Sequence, residues 1–422
     1  IISVFMKKTL HSNTLFQRIV TVALLISPII QTYGWGSYDF AFILTSLLAI
    51  ISLFKYGIRR RYLPKFLLIY FVYWFIVHEI TASSVGELVP LGIIRTILVY
   101  MMFFAAIEYH YLLKVYKVVA YVSIGFFFFQ ETVYALSGYH PIGIITSLPL
   151  AIDADMGTFI DSKLYGVRSS SFFSEPAHFV QYILPLLCIE LFGFSRVKWL
   201  RVVIVVAALL LSQSGNALFG IAVIFILTII RLLKEKKHGV TAFILLPVFL
   251  VISLFVAREY IASEMGQRLM ERQDQLDSSG GSSGQSGFTR IYRGYYVYDD
   301  YSILEKILGN DSPSAIHSHI RHCPVSFMFE GGDMYFNTFQ HVLIRTGMIG
   351  AVLYILLFFS LYRKSDYCGK AILTVILVLG FISSMYFTEA MAIYFLFAWK
   401  RQVNKDVVLT KNSQYYQQYL AE

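Results

Sequence analysis

The stretch YGVRSSSFFSEPAHFVQYILPLLCIELFG, residues 165 to 193, decides the fold class, because a polar and charged segment leads directly into a long apolar run. The run opens with Ser174, Glu175 and Pro176, and a Ser or Glu before a Pro in the first turn favours a helix start. An apolar run of roughly 18 residues is typical of a membrane-spanning helix. The stretch therefore predicts a membrane span with charged side chains at its entrance.

The composition of the whole chain agrees with this interpretation. Of 422 residues, 57% are hydrophobic and only 14% are charged, which is far from the usual composition of soluble globular proteins. The formal net charge of +9 comes from Lys and Arg clusters between apolar runs, a pattern of cytoplasmic loops rather than of a nucleic-acid-binding surface. The sequence predicts an all-α, polytopic integral membrane protein that forms a single membrane domain over residues 1–422, with no nucleic acid as partner.

Apolar runs along the chain predict about twelve membrane-spanning helices. Clusters of basic residues fall at alternate ends of these runs, so the positive-inside rule places both termini in the cytoplasm. This topology leaves two large loops on the extracytoplasmic side, residues 136–175 and 261–334. The predicted spans are 15–32, 38–56, 64–80, 89–108, 112–135, 176–194, 199–213, 215–232, 240–260, 335–361, 369–386 and 388–400.

The second large loop contains several distinct segments. Residues 259–276 fit an amphipathic helix, and the Gly/Ser tract of residues 278–287 separates it from FTRIYRGYYVYDDYSILEKILG as a flexible hinge. The segment IHSHIRHC matches no standard zinc spacing, and the adjacent Asp299 and Asp300 are more typical of a solvated loop than of a metal site. The sequence predicts neither a metal nor a cofactor.

Four short motifs resemble those of the O-antigen polymerases (Wzy type), within the O-antigen ligase and polymerase superfamily. An Arg followed by SFFSEPAHF opens a helix after the first large loop, and LSQSGNALFGIAV lies between the seventh and eighth predicted spans. SGFTRIYRG lies in the second large loop, and NTFQHVLIRTGMIG opens the next span. The chain departs from the pattern of these families before Asn337, where many members carry a His and this chain has Phe336, so Asp333 or His341 would have to take that role, or the role lies elsewhere.

The resemblance implies a glycosyltransferase of lipopolysaccharide biosynthesis in the bacterial inner membrane, with its active site on the periplasmic side. Such an enzyme transfers the growing glycan from undecaprenyl diphosphate to a new lipid-linked repeat unit. Displacement without a covalent intermediate inverts the anomeric carbon. The partners implied are the undecaprenyl-diphosphate-linked oligosaccharide, membrane lipids and a chain-length regulator.

Arginine side chains are the candidates for binding the diphosphate. A guanidinium binds two phosphate oxygens and keeps its proton as charge develops on the leaving group. We expect Arg168, Arg290 and Arg293 to act in this way, the last two as a pair if TRIYRG is helical. The alternatives are a loop salt bridge for Arg168, and for the other two a basic patch that meets lipid head groups.

A fourth cation, Arg95, lies inside the fourth predicted span, near its extracytoplasmic end. A charge at this position is costly and points to a function or to a partner. Arg95 either contributes to substrate binding or forms an ion pair with Glu79 or Glu87.

Acidic and histidine side chains are the candidates for the general base that accepts a proton from the acceptor hydroxyl. Glu175 is the first candidate, and Asp333, in GGDMYFN, is the second. His178 lies one turn beyond Glu175 on the same helix face. The alternative roles are a favourable charge at a helix N-terminus for Glu175 and an ordinary core residue for His178.

Tyr292 and Tyr295 are candidates for stacking against a sugar, and Asn337 for hydrogen bonding to one. Three other functions stay open. The first is an O-antigen ligase that passes the finished chain to lipid A core. The second is a transporter of lipid-linked sugars, although no internal repeat of the kind typical of transporters is visible. The third is a purely structural membrane scaffold.

Overall fold

The chain is mostly helical. The predicted span at 240–260 and the predicted amphipathic helix at 259–276 lie outside the described residues. The computed structural model describes residues 14–35, 38–57, 63–82, 90–151, 168–194, 197–234, 287–324, 326, 329 and 336–410.

Fourteen helices lie within these described residues. They are α1 (Thr14–Ile30), α2 (Phe40–Tyr56), α3 (Lys65–Thr81), α4 (Leu91–Ala106), α5 (Tyr109–Ser137), α6 (Pro176–Phe192), α7 (Trp199–Leu211), α8 (Gly215–Lys234), α9 (Gly287–Asp299), α10 (Ile303–Leu308), α11 (Pro313–His322), α12 (Thr338–Lys364), α13 (Tyr367–Leu379) and α14 (Glu389–Thr410).

Each predicted apolar run within the described residues contains a helix, so the prediction of helical structure is confirmed there. The run predicted at 369–386 is a correction, because its helix ends at Leu379. Among the described residues, three helices are long and apolar enough to cross a membrane: Tyr109–Ser137, Gly215–Leu233 and Thr338–Lys364. The other apolar helices have 10–17 residues. The chain is thus a helical protein with apolar helices of the membrane-protein type.

Local chemistry fixes where several helices begin. Helix α2 begins after Asp39, whose Oδ1 accepts a hydrogen bond from the backbone N–H of Phe42 at 2.6 Å. Helix α13 begins after Asp366, which caps the N–H of Gly369 at 2.9 Å. Helix α6 has Pro176 in its first turn, where the missing N–H costs nothing. The predicted helix start in SEPAH is therefore confirmed.

Helix α6 lies at the centre of the main hydrophobic core. Every residue from Phe179 to Phe192 is buried, as expected of a helix that is surrounded by other helices. Near its end, Glu190 is 1% exposed and lies 2.6 Å from the Nζ of Lys117 in α5. This buried charge is paired, which is the condition for a carboxylate inside a core.

Two short strands add a small exception to the all-α prediction. Strand β1 (Gly34–Trp35) pairs with strand β2 (Tyr38–Asp39) in an antiparallel hairpin. The described part of the first large loop joins it, because Tyr33 forms a bridge with Leu150. The start of this loop is thus anchored to the connection between α1 and α2.

The second large loop has a hydrophobic core of its own. Helices α9, α10 and α11 all belong to this loop, which the sequence placed between two spans. Apolar side chains of α9 and α11, and of residues next to them, meet those of Phe336 and Ile344 near the start of α12, whereas α10 contributes no buried residue. This core holds the loop against α12, and its buried residues are Val297, Tyr301, Ile316, Ile320, Cys323, Phe329, Phe336 and Ile344.

Candidate functional site

Two of the four motif stretches meet where α12 begins. Asn337 donates from its side-chain amide to the carbonyl of Phe381, just beyond α13, at 2.9 Å. Thr338 donates its backbone N–H to the carbonyl of Ser383 at 3.0 Å. The Ser383 hydroxyl in turn donates to Asn216 of α8 at 2.8 Å. The stretches LSQSGN and NTFQH are therefore joined through the turn that follows α13.

The other two stretches reach the same end of the bundle. A Cβ atom on Gly294 of α9 would lie 2.6 Å from the side chain of Gln340 in α12, so this close approach needs glycine. Arg168 lies before α6, and its Nη1 is 3.5 Å from the carbonyl of Gln213, between α7 and α8. We call this end, at which α6, α8 and α12 begin, the site end.

Arg168 is exposed at the rim of a small polar recess. In its lining, the Ser169 hydroxyl lies 2.8 Å from Nδ1 of His140, and Gln130 accepts from the N–H of Ser171 at 2.8 Å. Within the recess, the centre of a water-sized sphere can occupy about 10 Å³. The recess therefore has room for about one water molecule. A sugar or a diphosphate does not fit inside it, so any contact of Arg168 with such a group takes place at the surface.

Glu175 and His178 lie at the start of α6. Glu175 is the N-cap residue with an extended backbone (φ −140°, ψ 153°), and its exposed side chain makes no capping hydrogen bond. His178 is partly buried, and its Nδ1 lies 2.8 Å from the hydroxyl of Ser174. The structure thus presents the Glu175 carboxylate at the surface of the site end and holds His178 against its own helix.

Helix α12 is broken inside the region that the sequence predicted as one continuous span. Gly347 has a non-helical backbone (φ 60°, ψ −165°), and only glycine takes up this conformation without strain. A Cβ atom on Gly347 would lie 2.4 Å from the backbone nitrogen of Gly309, after α10. The N–H of Asn310 donates to the carbonyl of Ile344 at 2.9 Å, next to the break. The turn after α10 is therefore inserted against the break in α12.

This insertion brings Asp311 to a set of polar side chains that the sequence does not connect. Its Oδ2 accepts from the indole N–H of Trp74 at 3.1 Å and lies 2.8 Å from Nδ1 of His78. Its Oδ1 accepts from Nη1 of Arg345 at 3.1 Å. The Asp311 side chain is only 2% exposed, and a carboxylate buried to this extent needs such partners. We call Asp311, Trp74, His78 and Arg345 the Asp311 cluster.

Arg345 is the most accessible charged member of the Asp311 cluster, with 28% of its side chain exposed. It lies seven residues beyond Thr338, about 10 Å into the helix at about 1.5 Å per residue. Its one hydrogen bond to a described residue runs from Nη1 to Asp311. Because a guanidinium carries five N–H donors, Arg345 retains the capacity to bind an anion.

His341 and two tyrosines line the same region of α12. The hydroxyl of Tyr70 in α3 lies 3.0 Å from that of Tyr386 and 3.1 Å from that of Thr346. The Tyr386 ring stacks on His341, with centroids 5.5 Å apart and an interplanar angle of 16°. His341 and Arg345 are four residues apart and therefore share a helix face. The Nδ1 of His341 is buried and makes no hydrogen bond to a described residue.

The predicted helix around TRIYRG is confirmed as α9. Arg290 and Arg293 lie one turn apart in it, but the side chain of Arg290 lies outside the described part. Arg293 is 4% exposed, and its guanidinium carbon lies 4.8 Å from the centre of the Phe329 ring, a distance typical of a cation–π contact. Tyr292 is 50% exposed, whereas Tyr295 is half-buried and burial raises its pKa. Among the described side chains of this helix that the sequence singled out, Tyr292 is therefore the one at the surface.

Asn337 has a structural role that the sequence analysis did not assign to it. It is 1% exposed, and its Oδ1 accepts from the N–H of Gln340 at 2.9 Å while the Gln340 side chain accepts from the N–H of Asn337. This is a capping box at the start of α12. A sugar has no access to a side chain buried in this way. The preceding Phe336 is also buried and packs edge-on against His341.

Arg95 forms an ion pair whose partner the sequence analysis did not name. Its Nη2 lies 2.8 Å from Oε1 of Glu389 in α14 and donates to the hydroxyl of Thr45 at 2.7 Å. Its guanidinium also lies 4.2 Å from the centre of the Phe42 ring. These contacts differ from a pair with either of the two acids suggested by sequence. They give Arg95 a role in joining α2, α4 and α14.

One histidine of the second loop pairs with two of its acidic residues. His319 lies between Asp300 at 2.8 Å and Glu305 at 3.3 Å. The Glu305 carboxylate also accepts hydrogen bonds from the Ser302 hydroxyl at 2.7 Å and from the Asn310 amide at 3.0 Å. No group of three or more metal-binding side chains with metal geometry occurs among the described residues. Asp333, the second candidate base, lies outside them.

Sequence reasoning missed Arg345, Asp311 and His78. Arg345 had a usable signal, because it is a charge within an apolar span, the same feature that singled out Arg95. Asp311 and His78 had none, since they lie 233 positions apart and neither belongs to a short motif.

The fold and the site define the class of this protein as a mostly helical membrane protein with a buried charged cluster beside a broken helix. In comparisons with known proteins, no family model matches the chain and no curated protein matches it. The assignment of a function therefore depends on the residues and contacts described above.

Proposed function

We propose that this chain is a membrane glycosyltransferase of the O-antigen polymerase type. It transfers a growing glycan from undecaprenyl diphosphate to a new lipid-linked repeat unit. The observation that carries the proposal is the Asp311 cluster, in which a partly exposed arginine is held inside a helix by a buried carboxylate. A fixed guanidinium at this depth suits the phosphate oxygens of a lipid headgroup.

The proposal includes a topology of about twelve spans, with the site end on the periplasmic side of the bacterial inner membrane. Support comes from the agreement between the predicted runs and the helices. The basic residues Lys65 and Lys364 lie at the opposite ends of α3 and α12 from the Asp311 cluster, as the positive-inside rule requires of cytoplasmic ends.

The chemistry assigned to the site is a single displacement. A hydroxyl of the acceptor sugar attacks the anomeric carbon of the donor and forms a new C–O bond. The bond between this carbon and the diphosphate breaks, and its electron pair leaves with the diphosphate oxygen. Arg345 stabilises the negative charge that develops on the leaving diphosphate. The hydroxyl proton passes to a base, and the anomeric carbon is inverted.

Two side chains are candidates for this base. His341 lies one turn from Arg345 on the same face of α12, and we place it beside the acceptor hydroxyl, on the side of the anomeric carbon opposite to the leaving group. Glu175 is exposed at the start of α6, beside the region of Arg168. Arg168 and Tyr292, both exposed at the site end, suit the glycan part of the substrates.

Deletion of the gene in its host, followed by complementation, tests this function. The polysaccharide is separated on a gel after complementation with the parent chain, with Arg345→Ala, or with the control Arg363→Ala at the opposite end of α12. The proposal requires chains of a single repeat in the deletion strain, greatly reduced polymer with Arg345→Ala, and long chains with the parent and the control. Accumulated long lipid-linked chains indicate a ligase instead, and loss of external repeats indicates a transporter.

A further inference from the structure

The short helix α10 carries an apolar face that no described residue covers. Ile303 is 80% exposed, Leu304 is 66% exposed and Ile307 is 44% exposed. These three residues follow the i, i+1, i+4 spacing that places side chains on one side of a helix. Three large aliphatic side chains so exposed in one turn and a half of helix mark an interaction surface.

The depth of α10 follows from its contacts with α12. The turn after α10 touches α12 at Gly347, where a Cβ atom would lie 2.4 Å from the nitrogen of Gly309. Gly347 is nine residues beyond Thr338, which is about 14 Å along a helix that rises about 1.5 Å per residue. The C-terminal end of α10 thus lies well below the start of α12.

Helix α3 gives an independent measure of the same depth. The hydroxyl of Tyr73 donates to the carbonyl of Leu308 at 2.9 Å. Tyr73 is eight residues before Thr81, the last residue of α3, or about 12 Å along the helix. Half of a hydrocarbon layer is about 15 Å thick. Both helices therefore place the end of α10 within the layer that a leaflet occupies.

The backbone at the end of α10 is suited to this depth. Within a membrane, non-helical backbone is tolerated only where protein groups satisfy its polar atoms. Here the N–H of Gly309 donates to the carbonyl of Glu305 at 2.7 Å, and the N–H of Asn310 donates to that of Ile344 at 2.9 Å. The Leu308 carbonyl accepts from Tyr73. The turn needs no water for these groups.

The charges of α10 are directed away from its apolar face. Lys306 lies 3.2 Å from Asp299, at the end of α9, and Glu305 accepts from Ser302 and Asn310. Lysine commonly extends its charge towards water while its aliphatic stem stays in an apolar layer. The face formed by Ile303, Leu304 and Ile307 is left without a charge.

We propose that α10 is inserted into the membrane, and that lipid acyl chains of the leaflet at the site end cover Ile303, Leu304 and Ile307. The sequence placed this segment in an extracytoplasmic loop. The insertion continues the exposed apolar surface of α12, where Met348 and Val352 are 52% and 50% exposed. It holds whatever reaction the site performs, because it depends only on exposure, depth and backbone pairing.

Site-directed spin labelling of the full chain tests the insertion. The three native cysteines are buried and are replaced by alanine, and single cysteines are introduced as Ile303→Cys, Leu304→Cys and Ile307→Cys. The labelled proteins are reconstituted into phosphatidylcholine and phosphatidylglycerol vesicles. Val352→Cys serves as the membrane control, and Asp299→Cys, whose native side chain is 87% exposed, serves as the water control. Collision rates of each label with oxygen and with a water-soluble nickel complex are measured.

The insertion requires the oxygen-to-nickel ratio at two or more of the three positions to match Val352→Cys and to exceed that of Asp299→Cys. Ratios equal to that of Asp299→Cys at two or more positions overturn the proposal, because they place α10 in water. Low collision rates with both reagents also overturn it, since a protein partner then covers the face. If a label prevents reconstitution, quenching of an environment-sensitive fluorophore at the remaining positions by brominated lipid gives the same distinction.

Discussion

Arg345 and Asp311 show how a single contact gives a charged residue its role. Asp311 is almost completely buried and satisfied by three side chains, whereas Arg345 spans from that carboxylate to the accessible surface. When one nitrogen of a guanidinium is held by a carboxylate, its other N–H donors keep a defined orientation. The side chain therefore loses less conformational entropy when it binds an anion.

Arg345→Ala is expected to reduce the rate of polymer formation by about 10- to 100-fold. A hydrogen bond to a charged group contributes about 1.5–3 kcal/mol, and each 1.4 kcal/mol corresponds to about tenfold in rate. Arg345→Lys should recover only part of the loss, because a point charge lacks the two-pronged geometry. Initial rates with purified protein check this. A rate for Arg345→Ala equal to that of Arg363→Ala would remove Arg345 from the site.

The identity of the base is tested with His341→Gln and Glu175→Gln. A positioned base contributes about 10²- to 10⁴-fold to such a rate, so His341→Gln should reduce it within that range. Glu175→Gln should have the smaller effect, because the Glu175 side chain is exposed at the start of α6 and makes no capping hydrogen bond there, whereas His341 shares a helix face with Arg345. Rates of the two variants are compared under the same conditions. The reverse order would move the base to Glu175.

At the scale of single residues, the sequence could indicate which charged residues are candidates for a function, but not which residues they contact in the fold. A charge inside an apolar span is visible in the printed chain, and the rule that singled out Arg95 applies equally to Arg345. The partner of Arg95 proved to be Glu389, which lies 294 positions away. Such contacts depend on how helices pack, which no local pattern encodes.

At the scale of the element, the contact between α10 and the break in α12 decides the geometry of the site. Gly309 (φ 90°, ψ 172°) and Gly347 (φ 60°, ψ −165°) both have backbones that other residues adopt only with strain. The backbone of each glycine also fills the space that a Cβ atom on the other would occupy. The pair sets the position of Asp311 relative to Arg345.

Gly309→Ala is therefore expected to destabilise the protein by at least about 1–3 kcal/mol from backbone conformation alone. A Cβ atom would also lie 2.5 Å from backbone atoms of Thr346, which adds to the cost. The matched control is Gly125→Ala in α5, where a Cβ atom meets nothing within 4 Å and alanine favours the helix. Unfolding is followed in detergent. Equal stability of the two variants would contradict the proposed fit.

The helices themselves were predictable, because long apolar runs leave few alternatives to a helix in a lipid environment. The break at Gly347 was not, since glycine is common within membrane helices and gives no signal of its own. The helices α10 and α11 were also missed. Helix α11 packs in the second loop's own core, and the buried side chains of Ile316 and Ile344 show this contact only in three dimensions. Helix α10 is held instead by the contact of the turn that follows it with α12.

At the scale of the whole molecule, the proposed topology predicts that both large loops face the periplasm. Single cysteines at Asp153 and Ser279, in segments outside the described residues, should react with a membrane-impermeant thiol reagent in intact spheroplasts. A cysteine at Lys364, at the far end of α12, should react only after lysis. Labelling of either loop position only after lysis would place the site end in the cytoplasm and contradict the proposed substrate.

The central claim is glycosyl transfer from a lipid diphosphate, and the most direct measurement uses purified protein with an undecaprenyl-diphosphate-linked repeat unit as its only substrate. Polymerisation requires products of two or more repeats on one lipid, together with one released undecaprenyl diphosphate for each new linkage. Arg345→Ala should greatly reduce both signals, and Arg363→Ala should preserve them. Unchanged substrate after incubation with a well-folded parent protein would contradict the account.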